Sequence, residues 1–200
     1  MKKIFIIIFV FTVATGLKAQ VDVNQKLDEA ESAYSSKDLE ATRFALQEAL
    51  QGINQAIGKE ILDMLPSELG EMKKVEGQDN VTGTTIMFAG LFVSRSYEKD
   101  STLSANFEIM SDSPLITSIN AFMAMPAIMV TDPNQKRIKV DNYRGMLTRS
   151  EDSDGTVNYD AQIPVGSTLF SFRTHGISDE KSVTDMLTLL QIGKIAKIAE

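Results

Sequence analysis

The hydrophobic period of this chain first changes at a proline. Before Pro66 the apolar residues recur every three or four positions; from residue 84 onward they tend to alternate with polar ones. A period of 3.6 lines apolar side chains along one stripe of a helix, and a period of two lines them on one face of a strand. A chain carrying the two in succession is restricted to an α+β arrangement, a helical start followed by a mainly antiparallel sheet.

Residues 24–65 contain no proline. Leu27, Ala30, Glu31 and Tyr34 repeat at helical spacing until Ser35-Ser36-Lys37-Asp38 interrupts. Leu39, Thr42, Leu46, Ala49, Leu50, Ile53, Ile57, Ile61 and Met64 then form a longer stripe. Ser36 or Asp38 is placed to cap this second helix, because a short side-chain oxygen accepts from the free N–H groups of a first turn. Gly52 and Gly58 weaken it locally and Pro66 stops it. The expectation is an αα-hairpin over residues 20–65 with a long second arm.

Ala30, Ala33-Tyr34, Lys37-Asp38, Ala41, Ala45-Leu46 and Ala49-Leu50 resemble one tetratricopeptide-type helix pair. No second copy follows. One such unit does not bury its own apolar face, so the resemblance implies that the pair packs on the rest of the chain or on a partner. We expect Leu46, Leu50, Ile53 and Ile57 to be core against the sheet domain, since so long a bare stripe invites aggregation.

Residues 1–20 read MKKIFIIIFVFTVATGLKAQ. Lys2 and Lys3 form a charged start, residues 4–13 an apolar run, and Ala19 a small residue at a cleavage point, the pattern of a secretory signal peptide over residues 1–19. Ten apolar residues span about 15 Å as a helix, half the ~30 Å of a hydrocarbon core. The expected product is an exported protein, periplasmic or secreted, with no membrane insertion after cleavage. It lacks cysteine, so it needs no disulfide in an oxidising compartment. Loss of Lys2, Lys3 and Lys18 moves the formal charge from −7 to −10. That balance argues against nucleic acid and anionic membrane surfaces as partners.

Residues 66–83 are polar and glycine-containing and read as a linker; residues 84–200 read as the sheet domain. Residues 84–97 are apolar on both alternating sets (Ile86, Phe88 and Phe92; Met87, Ala89, Leu91 and Val93), as in a strand covered on both faces. Glu98-Lys99-Asp100-Ser101 reads as a turn into Leu103, Ala105, Phe107 and Ile109. Ser113 suits a helix N-cap and Pro114 its first position, with Leu115, Ile116, Ile119, Phe122 and Met123 on one face. Residues 137–148 read as one strand with a bulge near Gly145, followed by strands through Val157–Ile163 and Leu169–Thr174. Ser178 or Asp179 caps one final helix carrying Val183, Met186, Leu187, Leu190 and Ile195 inward. The order of elements is helix pair, two strands, helix, three strands, helix, a five-stranded sheet flanked by helices.

The segment from Pro66 onward resembles PsbP-type domains in this order. With Leu65-Pro66 after a helical start, Arg95-Ser96-Tyr97 closing a strand and then Asp112-Ser113-Pro114, it is also similar to a group of exported bacterial proteins. The resemblance implies a fold and a compartment, and no residue role carries over.

No combination of residues composes a reactive centre. His175 is the single histidine; Ser171, Ser178 and Asp179 lie near it in sequence, but triad members ordinarily come from separate loops and no G-x-S-x-G elbow is present. Ser150–Gly155, S-E-D-S-D-G, places Asp152 and Asp154 like the centre of a calcium loop, yet starts on Ser150 and puts Ala161 where a bidentate Glu is required. Met123, Met125 and Met129 invite a thioether copper site, but positions two apart on a helix diverge by about 200°. Asp28-Glu29-Glu31 and Asp179-Glu180 read as solvated helix faces, and Lys136-Arg137-Lys139 is a small basic cluster in an acidic chain. The sequence therefore offers no catalytic, cofactor-binding or metal-ligating residue. The function it supports is that of a non-enzymatic binding or interaction protein of the cell envelope, with an unknown protein as partner. The alternative is a small apolar ligand or lipid held on the sheet face near Phe88, Phe92, Phe107, Phe170 and Phe172.

Overall fold

A computed structural model describes residues 21–83, 90–125 and 132–199. Residues 1–20, expected to hold a signal peptide, residues 84–89 with Phe88, and Met129 lie outside them. Two helices come first, α1 (Val23–Ser35) and α2 (Leu39–Met64). Both start at an aspartate: Asp22 Oδ1 accepts from the N–H of Asn24 at 3.0 Å, and Asp38 Oδ1 from that of Ala41 at 3.0 Å. The pair crosses on small residues, with Ala30, Ala45 and Ala49 buried between the helices. A Cβ on Gly58 would fall 2.3 Å from Val81 Cγ1. The glycine that weakens α2 as a helix is thus where another element approaches it most closely.

The sheet has nine strands among the described residues where five were expected. They are β1 (Glu68–Leu69), β2 (Met72–Lys74), β3 (Asn80–Thr82), β4 (Phe92–Asp100), β5 (Leu103–Ser111), β6 (Gln135–Val140), β7 (Tyr143–Glu151), β8 (Val157–Val165) and β9 (Thr168–His175). Every pairing is antiparallel, in the order β1-β2-β4-β5-β9-β8-β7-β6, with β3 also on β4. Three of the additional strands come from residues 66–83, which line the free edge of β4. Leu69 and Met72 of that segment are fully buried.

The fourth additional strand resolves the broken alternation of residues 137–148. A turn at Asp141-Asn142, with Asp141 at φ 52°, divides it into β6 and β7, and Gly145 pairs regularly with Ile138. The phase of alternation changes because the chain reverses, and there is no bulge at that point. The strand after Tyr97 likewise runs on to Asp100 before turning. There Asp100 Oδ1 accepts from the Thr102 N–H at 2.8 Å.

One face of the sheet carries the core. A cross-strand row of Arg95, Phe107, Phe172, Ala161 and Leu147 is buried throughout. Over it lie the C-terminal part of α2 and two helices, α4 (Glu180–Leu189) and α5 (Ile192–Ala199). One helix was expected there. Gln191 takes φ 53° and breaks it, which returns Ile192 to the side already occupied by Leu187 and Leu190; in a continuous helix it would point about 200° away from Leu190. Asp179 caps α4, accepting from the Ser182 N–H at 2.9 Å.

Helix α3 (Ile116–Ala124) packs on β7 and β8. It begins at Ile116, later than the expected Pro114. Ser113 instead shapes the preceding turn, its carbonyl accepting from the Ile116 N–H at 3.3 Å. Arg137, on the face of β6 opposite Ile138 and Val140, stands 5.9 Å from the Phe122 ring centroid, which puts α3 on the outer face of the sheet.

Candidate functional site

The stripe on α2 is continuous in sequence and divided in its surroundings. Its C-terminal end, Ile57 and Ile61, enters the core under the sheet. Its N-terminal part does not: Leu39 is 66% exposed, Leu46 48%, Leu50 50% and Ile53 41%. The expectation that Leu46, Leu50 and Ile53 are core is thus corrected, and among the four only Ile57 packs on the domain. The reason is geometric. The sheet and α5 meet α2 near its C-terminus, and α1 occupies the neighbouring flank of Ala45, Ala49 and Gly52.

Helix α1 extends the bare face. Lys26 Nζ lies 3.0 Å from Glu48 Oε2 and marks one side of the hairpin. Leu27 and Tyr34, about 100° further round α1, lie on the other side, the side of Leu46 and Ile53, and both are exposed. The result is an apolar surface built from two helices, with Arg43 within it and Glu31 beside it. Solvent-facing apolar groups at this density mark interaction surfaces in soluble proteins.

The outer face of the sheet is the second candidate, and it is polar. One cross-strand row reads Ser96, Asn106, Arg173, Asp160, Thr148. Arg173 Nη1 is 3.3 Å from Glu108 Oε2, and Gln162 Nε2 donates to Asp160 Oδ2 at 3.1 Å. Burial pushes the Asp160 carboxyl above its ordinary value, against the opposing charge of Arg173. Asp160 Oδ1 and Asn106 Oδ1 are buried with no hydrogen-bond partner among the described residues. A cavity of about 310 Å³ opens beside Ser96, Asn106, Arg173 and His175. Its lining combines these polar groups with apolar surface from Val75, Tyr97 and Ala105. Along β8, Asn158, Asp160 and Gln162 alternate with Val157, Tyr159 and Ala161, the trace this face leaves in the sequence.

His175 Nδ1 lies 2.8 Å from Asn158 Oδ1 and 3.9 Å from Asp152 Oδ2, at one end of that face. Among the described residues no nucleophile converges on it. Ser171 is four positions back along β9, Ser178 offers its carbonyl to Tyr159 Oη at 3.4 Å, and Asp179 is occupied at the α4 cap. In the β7–β8 turn, Asp154 Oδ1 accepts from the Thr156 N–H at 3.0 Å, while Ala161 is buried on the inner face. No group of three or more His, Cys, Asp or Glu among the described residues is placed to hold a metal ion.

The expected aromatic wall is not one surface. Phe107, Phe170 and Phe172 are fully buried on the inner face, whereas Phe92 belongs to the opposite alternation of β4. The basic cluster is divided in the same way: Lys136 Nζ pairs with Glu180 of α4 at 2.5 Å, and Arg137 turns to α3. Glu29 is held by Lys26 at 2.7 Å. No described helix is long and apolar enough to cross a membrane. No protein-family model, curated protein or solved structure matches this chain.

Proposed function

We propose that this chain is a non-enzymatic interaction protein of the cell envelope that engages another protein through the helical pair. The observation that carries the reading is the bare half of the α2 stripe, Leu39 to Ile53, on a helix whose other half is anchored in the core. Such an arrangement holds an apolar surface rigidly away from the sheet, ready to be covered. Export rests on the N-terminal sequence pattern, and intact mass of the cell-derived protein checks it: the expected chain begins at Gln20.

Native mass spectrometry of wild type and Leu50→Lys, purified from their own envelope, tests the interaction. A protein-sized mass increment in wild type that is missing from the variant is the expected result. A small-molecule increment kept in both would replace this reading with ligand binding, and an unaccompanied chain in both would sink it.

A further inference from the structure

We infer that the bare seam of α2 pairs with the same seam on a second copy of this chain, an inference that rests on reading the helical face as an interaction surface. Leu39, Arg43, Leu46, Leu50 and Ile53 follow one another at steps of four, three, four and three residues. Alternating steps of four and three are the a/d spacing with which one helix packs along a second that carries the same pattern. A second copy supplies it.

Area and charge favour the same occupant. Leu27, Tyr34, Leu39, Leu46, Leu50 and Ile53, between 41% and 67% exposed, present on the order of 600 Å² of side chain, against the ~800 Å² per partner of a standard interface. The chain is acidic, formally −7, so most of its surface repels a copy of itself. The seam does not: Arg43 and the flanking Glu31 cancel.

The pairing is antiparallel and two-fold, the self-matching symmetry of most homodimers. About an axis at the level of Glu48, Leu46 meets Leu50 of the partner subunit and Arg43 meets the partner's Ile53. The stem of Arg43 then covers apolar surface while its charge reaches water, and a single polar seam position sets the register. The two acidic sheet domains end up at opposite ends of the seam, where a parallel pairing would place them side by side.

Sedimentation of the purified wild-type chain is expected to give twice the chain mass at micromolar concentration. Leu50→Lys is expected to give the single chain mass with an unchanged circular dichroism spectrum. Because the chain has no native cysteine, an oxidised mixture of Arg43→Cys and Ile53→Cys proteins is expected to yield a disulfide-linked dimer that neither yields alone. Self-linking by each variant alone overturns the antiparallel register. A monomeric wild type overturns self-pairing, and a photo-crosslinker at position 50 in cells then separates the two levels. Adducts to another protein leave the interaction surface standing, and no adduct at all removes both.

Discussion

The guanidinium of Arg95 donates from Nη1 to the carbonyl oxygen of Leu65, 2.9 Å away. It thereby holds the C-terminus of α2 to the second position of the β4 inner face. Two further donors go to Asp79, Nε at 2.8 Å and Nη2 at 2.5 Å. Two residues on, Tyr97 Oη donates to the Pro66 carbonyl at 2.9 Å, and burial raises the Tyr97 phenol to about 12. Leu65-Pro66 and Arg95-Ser96-Tyr97 thus form one joint between helix and sheet, and the anchored end of α2 depends on it.

Replacing Arg95 by Met leaves Asp79 and the Leu65 carbonyl without their donor. A cost of about 3 kcal/mol is expected, the scale of a buried pair broken from one side, measured as the urea unfolding midpoint. A double-mutant cycle with Asp79→Asn should show strong coupling; additive costs would mean that the pair does not act as a unit.

Arg95 beside Asp79 holds that carboxyl below its ordinary value. A depressed folded value means that its stabilisation is fully present above the ordinary carboxylate range and is lost as pH falls through that range and below it. Wild type should therefore lose more stability than Asp79→Asn between about pH 6 and pH 3. Equal losses would contradict the pairing.

Asp160 has the opposite sign. Its raised folded value favours the neutral acid, so its contribution is most favourable below the ordinary carboxylate range and declines as pH rises through the folded value. Asp160→Asn should raise the melting temperature near neutral pH and leave it unchanged in acid.

Leu50→Ala should cost less than about 1 kcal/mol in a dilute, dissociated chain, because half of the side chain is already in water. Ile61→Ala on the same helix should cost roughly 2–5 kcal/mol, since Ile61 is fully buried. Similar costs at both sites, read by chemical denaturation, would return the upper part of α2 to the core.

His175→Ala removes one hydrogen bond to Asn158 at a half-exposed site and should cost about 1 kcal/mol. Hydrolysis of ester, peptide or glycoside substrates by wild type that disappears in this variant would overturn the non-enzymatic reading.

What the sequence determined by itself was local. The hairpin of α1 and α2, a cap at Ser36 or Asp38 and at Ser178 or Asp179, and the alternation of β5 and β8 all follow from side chains within a few positions of one another, where period and capping chemistry act directly; the structure selects Asp38 and Asp179. The triad was already poor in the sequence, and the structure disperses its members. The tertiary structure decided what depends on contacts distant in the chain. Strands β1, β2 and β3 have only two or three residues each; β2 and β3 form because β4 offers a free edge, and β1 forms on β2. The division at Asp141-Asn142 resembles a bulge until β6 is seen to return along β7. Whether Leu50 is core or surface follows from where the sheet meets α2, because a helical stripe specifies which face is apolar and leaves open what covers it.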